Sequence, residues 1–158
     1  MTPSVILALA FAIGVIAGLR SLTAPAVICW AAHLGWINLH DSRLAFLGST
    51  VSVVIVTILA VGELINDKLP ATPSRTAPVS LGARIVTGAI CGAALGVAGA
   101  QTALVGAIVG VVGAVVGTFG GYQVRHQIVT QLKVPDIGVA LAEDLIAIGS
   151  ALLIVTRF

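Results

Sequence analysis

Across residues 80–122 the chain carries a single charged side chain, Arg84. Such a run has no place in a water-soluble domain of this size, whose surface must be covered largely by groups that water accepts. The rest of the chain does not compensate. Only 9% of its 158 residues are charged and 58% are hydrophobic, whereas soluble domains carry about 25% charged residues. Lipid must therefore cover what polar groups cannot.

Matching apolar runs against the roughly 20 residues that a membrane helix needs, with about 17 tolerated, gives six segments. They cover 3–18, 23–38, 44–66, 80–100, 102–122 and 136–156. The expected fold class is an all-α integral membrane protein with about six transmembrane helices in one domain, 1–158. The two first segments are short and are joined only by 19–22. The alternatives there are a full hairpin or a re-entrant element, which is tolerated at membrane depth only where protein or water satisfies its backbone. The start of the chain lacks a charged leader and a clear cleavage site, so 3–18 reads as a retained span.

Lys and Arg are distributed unevenly about six spans. One side holds Arg20, Lys68, Arg75, Arg84, Arg125 and Lys133, and the other holds Arg43 and Arg157. The rich side is expected to be cytoplasmic, with both termini facing the periplasm or exterior. A net charge of +2, without a basic run, excludes nucleic acid as a partner. Cys29 and Cys91 lie in apolar stretches and read as buried, inert thiols.

Small residues recur at helical spacing in the fourth and fifth segments. Gly88, Gly92, Gly96 and Gly99 mark one, and Gly106, Gly110, Gly113, Gly117 and Gly121 mark the other, with a shorter stripe of Gly14 and Gly18 in the first. This glycine-zipper pattern lets backbones approach closely in lipid, and with 100–102 as the only connection it predicts a tight antiparallel hairpin. Two echoes raise the possibility of a duplication into three-helix halves, 1–67 and 80–158, joined by a Pro-rich loop at 68–79. Gly18-Leu-Arg20-Ser-Leu-Thr23 resembles Gly82-Ala-Arg84-Ile-Val-Thr87, and Thr-Ala-Pro occurs at both 23–25 and 76–78.

Chemistry is expected where ionisable groups border apolar helices, because a charge at the bilayer centre costs roughly 2.5–3.5 kcal/mol even on lenient scales. Arg20 and Arg84 read as lying at the beginnings of the second and fourth helices, where free amides and the helix dipole already favour an anion. Ser21, Thr23, Ser80 and Thr87 add hydroxyls, so the pair reads as a two-pronged anion clamp. Glu63 and Asp67 share a face four residues apart, while Glu143 and Asp144 lie about two turns into the last helix. Glu143, roughly 10 Å along its helix, is expected to be the most costly of the four and to have a cationic partner or a proton. The plainer reading is that Arg20, Arg84 and Arg125 simply neutralise these acids. Arg75 stands in the stiff loop Pro70-Ala-Thr-Pro73-Ser-Arg75-Thr76-Ala-Pro78, and Tyr122 with Arg125 reads as the interface where the fifth helix leaves the membrane.

His33, His40 and His126 lack the spacing of a zinc site. No nucleophile elbow or phosphate loop is visible, and no cofactor is expected. The residues Gly18-x-Arg20-Ser21-x-Thr23-Ala24-Pro25, Glu63-x3-Asp67-Lys68-x-Pro70, Pro73-x-Arg75-Thr76, Gly121-Tyr122-x2-Arg125 and Glu143-Asp144 together resemble a family of small bacterial integral membrane proteins known as domain of unknown function 4126. The resemblance spans nearly the whole chain and implies that these polar stretches are the family's signature. It supplies no activity.

The functional expectation is transport or permeation of an anionic or amphiphilic small substrate, bound near the cytoplasmic face by Arg20, Arg84 and Arg75. The alternative is a lipid-binding or scaffold protein without turnover. A third reading, a metal-dependent enzyme acting on lipid phosphate, uses Glu63, Asp67, Glu143 and Asp144 as ligands. The partners expected are the lipid bilayer, an anionic solute or lipid headgroup, and a second copy in a symmetric dimer.

Overall fold

The computed structural model describes residues 1–67, 77–132 and 136–158. These residues form six α-helices: α1 (Pro3–Leu19), α2 (Thr23–His33), α3 (Thr50–Asn66), α4 (Pro78–Ala98), α5 (Ala103–Leu132) and α6 (Asp136–Val155). No strand occurs among them. α4, α5 and α6 are each long and apolar enough to cross a membrane, and α1 and α3 are apolar helices of 17 residues. The chain is an all-α membrane protein. Exposed Val, Ile and Leu side chains run along α3, α5 and α6, a distribution that only a lipid surround makes favourable.

Three segments end where the apolar pattern does not. α2 stops at His33, after 11 residues or about 16 Å, close to half the thickness of a hydrocarbon core. Its end is fixed by Gly35, which takes φ +76°, a left-handed conformation that costs glycine nothing. The amide of Trp36 then donates to Ala31 O and that of Gly35 to Ala32 O, the paired bonds that close a helix around a left-handed residue. Beyond this point Ile37 and Leu39 turn back into the core, so the apolar run expected over 23–38 is helix to His33 and folded loop after it.

The segment expected at 44–66 is likewise divided. A 3-10 turn covers Ala45–Gly48, and Ser49, whose Oγ accepts from the Ser52 amide at 3.1 Å, caps the true start of α3. Conversely, α5 runs through Gly120, Gly121 and Tyr122 to Leu132 as one helix of 30 residues. A paired glycine weakens a helix by about 1 kcal/mol per residue without breaking it.

α5 is the centre of a trio with α1 and α4. Its glycines do not all face one partner. A Cβ on Gly106 or Gly110 would strike the backbone of Gly92 or Gly88 in α4, whereas one on Gly113 or Gly117 would strike Phe11 or Val15 in α1. Gly14 and Gly18 of α1 abut Gly110 and Ala114 in return. α6 crosses to pack on α2 and α1, and α3 packs on α2 and the 45–48 turn. The two halves of the Gly-x-Arg echo take different backbones: Arg20 lies at the break between α1 and α2, and Arg84 lies inside continuous α4.

Gly110→Ala is expected to destabilise the bundle by about 1–3 kcal/mol through overpacking. Gly62→Ala, at a glycine with open space around it, should be neutral or slightly stabilising. Thermal unfolding of the detergent-solubilised protein checks both.

Candidate functional site

The polar residues gather at the break between α1 and α2. Arg20 leaves helical geometry there, at φ −137° and ψ 109°, after its amide has closed the last turn of α1 on Ile16 O at 2.8 Å. The next helix begins three residues later, and Pro25 fits its first turn, where no amide partner is lost. Two helix ends of opposite polarity thus meet within a few residues. Each receives the opposite charge from elsewhere in the fold.

At the amino end of α2 the charge is Glu63. Its Oε1 accepts from the Ser21 amide at 2.8 Å and the Ser21 hydroxyl at 2.6 Å, and its Oε2 accepts from the Leu22 amide at 2.8 Å. A carboxylate from α3 therefore occupies the position of an anion at a helix start. At the carboxyl end of α1 the charge is Arg84. Its Nη1 donates to Gly18 O at 2.6 Å and Leu19 O at 2.8 Å, and its Nε to Ser80 Oγ at 3.3 Å. Arg84 is the seventh residue of α4, about 9 Å along the helix, so it reaches across to α1 and does not stand at the start of its own helix. Its side chain is 3% exposed.

Arg20 is fully buried and binds two carboxylates from different helices. Its Nη1 pairs with Asp67 at the end of α3. Its Nη2 lies 2.7 Å from Asp144 Oδ1 of α6, aligned too poorly for a hydrogen bond, so that contact is an ion pair only. Among the described residues Arg20 Nε and Thr23 Oγ1 have no hydrogen-bond partner, although both are buried.

The structure thus brings together Arg20, Ser21, Thr23, Glu63, Asp67, Arg84 and Asp144. The open clamp read from the sequence is replaced by a closed one, in which the chain's own acids and carbonyls occupy the guanidinium groups. Thr87 does not contribute, since its hydroxyl donates to Arg84 O in its own helix at 3.2 Å. Asp144 and Glu143 are both largely buried, their side chains 10% and 12% exposed, but only Asp144 touches Arg20. Glu143 instead faces Arg125, at 3.8 Å on the flank of the cluster. Arg75, with the rest of the Pro-rich stretch 68–76, and Lys133 lie outside the described residues.

Thr118 is a member that the sequence reading missed. Fully buried on α5, it donates to Ala114 O at 2.8 Å and to Gly18 O at 3.3 Å, the carbonyl that Arg84 also grips. A hydroxyl directly after Gly117 of the glycine stripe was the available signal. Among the described residues no group of three or more His, Cys, Asp or Glu is arranged to hold a metal ion. The four carboxylates of the metal-dependent reading form no such group.

A family model described as Domain of unknown function (DUF4126) matches residues 7–157, and with them every member of this cluster. The chain belongs to this family. No curated protein and no solved structure matches it. Within the matched residues, the fold joins the stretches Gly18–Pro25 and Glu63–Asp67 through Glu63 and Arg20.

Removing the central cation leaves two acids facing each other in a buried place. Arg20→Ala is expected to cost about 3–5 kcal/mol, as for other buried pairs deprived of one partner. Arg84→Ala, which removes the donor shared by the Gly18 and Leu19 carbonyls, should cost about 1–3 kcal/mol. Denaturant unfolding in mixed micelles measures the difference, and equal losses would show that Arg20 is not the keystone.

Proposed function

We propose that this chain is a multi-pass protein of the bacterial inner membrane that moves an anionic or amphiphilic small substrate, its Arg-bearing end on the cytoplasmic side. In this reading the termini are periplasmic, and two copies associate as a dimer. The observation that carries it is that two buried donors, Arg20 Nε and Thr23 Oγ1, stand without a partner among the described residues beside an amide cluster already holding a carboxylate. A bundle selected for stability alone gains by replacing such a cluster with apolar side chains. Ionisable groups retained at membrane depth mark pathways and ligand sites. The substrate's place is held by Glu63 and Asp67, and an incoming anion competes with them for the same donors.

The second reading, a lipid-binding or scaffold protein without turnover, is favoured by the closed state of the cluster. Each guanidinium already has internal acceptors, and the glycine contacts leave little space between α1, α4 and α5. The two readings differ in flux.

Purified protein in liposomes should release labelled succinate or phosphate, or scramble a fluorescent anionic lipid, faster than empty vesicles. Ser21→Ala and Arg20→Lys, which keep the charge count, should slow that release. Absence of flux for all three probes, together with a stoichiometric protein partner on native purification, would overturn transport and leave the scaffold.

A further inference from the structure

α3 differs from the other helices in how it is held. Of its 17 residues only Val53 and Ala60 are buried, and its neighbours are α2 and the 45–48 turn. Its amino end is secured locally, by the Ser49 cap and by a bond from Ser52 Oγ to Phe46 O at 2.7 Å. In the middle, Trp30 Nε1 donates to Thr57 Oγ1 at 3.0 Å. The described grips of its last turn on the α1–α2 break are of another kind. They are polar: Glu63 on Ser21 and Leu22, and Asp67 on Arg20.

Arg20 does not depend on α3 alone. Asp144, on α6, lies 2.7 Å from its other terminal nitrogen, and α6 is placed by α1 and α2, independently of α3. The usual penalty for breaking a buried ion pair arises because the surviving charge is left bare. Here, withdrawal of Asp67 leaves the guanidinium with a counter-ion still in contact. The acid that leaves has a side chain 16% exposed, the more exposed of the two on Arg20. Gly62, where an added Cβ would meet no atom of another element, precedes Glu63 and gives the last turn a pliable point.

We infer that the last turn of α3, from Gly62 to Asp67, is a releasable latch: Glu63 and Asp67 unfasten together from the α1–α2 break, while Asp144 keeps Arg20 neutralised and the rest of the bundle stays packed. Release bares the Ser21 amide and hydroxyl and the Leu22 amide at the start of α2, so the latch governs whether that anion-binding cluster is open. The inference concerns a conformational equilibrium and stands whether or not a solute crosses the membrane.

Hydrogen exchange of the full chain in lipid nanodiscs, read by mass spectrometry, tests it without any flux assay. Asp67→Asn, and separately Glu63→Gln, should speed exchange in the peptides covering 20–22 and 62–67 by about tenfold or more, as local opening does. Peptides of α1, α4 and α5 should keep wild-type rates. Asp144→Asn, which leaves Asp67 on Arg20, should leave 20–22 and 62–67 unchanged. Unchanged exchange in both α3 variants, equal opening in Asp144→Asn, or a rise spread over the whole bundle overturns the latch. Loss of folded protein in Asp67→Asn or Asp144→Asn overturns it too, because each retains one carboxylate for Arg20.

Discussion

A guanidinium inside a lipid-covered bundle has to bring its counter-charges with it, because neither hydrocarbon nor apolar side chains can supply them. Arg20 is such a group, and much of the arrangement around it follows from that requirement. Its two carboxylates come from α3 and α6, elements that do not otherwise meet extensively. The break that frees Arg20 from α1 also exposes a carbonyl end and an amide end to each other. Arg84 and Glu63 answer those ends with the matching charge. Three further helices are thereby referred to the three-residue interruption between α1 and α2.

The interruption can be shared by so many elements only because the helices beside it lie unusually close. Where α5 meets α1 and α4, hydrogen atoms stand in place of side chains, and a methyl group would overlap the opposite backbone. That proximity lets Arg84 reach α1 from inside α4, and places Thr118 of α5 against the same Gly18 carbonyl. In lipid no hydrophobic effect drives helices together, so close backbone packing and interhelical hydrogen bonds have to do it. The glycine contacts and the polar cluster are therefore parts of a single device.

How much of this was readable in advance depended on whether a signal was local. The helical class and the membrane setting follow from apolar runs, which are properties of consecutive residues. Glu63 and Asp67 four apart fall on one face by helix geometry alone, and so belonged together before any coordinates. The stop of α2 was harder, because Trp36 and Ile37 continue the apolar run beyond Gly35. Only the left-handed turn at that glycine, a cap signal hidden in hydrophobic sequence, ends the helix. The division of the α5 glycines between two partners could not be seen, since seven residues separate Gly106 from Gly113 and neither carries a mark of which neighbour it meets. Nor could the partner of Arg84, whose acceptors are backbone carbonyls that every residue possesses. Asp144 and Glu143 adjoin in sequence and differ only in direction, about 100° apart on the helix. That difference puts one on Arg20 and the other on Arg125.

Had the cluster been selected only to hold helices together, simpler solutions were at hand. A buried ion triad typically contributes no more than apolar side chains of equal volume, because desolvation consumes most of the attraction. What charges offer, and apolar packing does not, is an interaction that water or a competing ion can replace. The core of this bundle, from Ile13 through Ile28 and Leu95 to Val155, is built of side chains without that property. The break at Arg20 is built almost wholly of groups that have it, on an edge where a partly exposed aspartate meets a fully buried arginine. A rigid apolar body with an exchangeable polar junction at one end can change its connections there without unpacking elsewhere, and that division of labour is the physical basis for reading function into this end of the molecule.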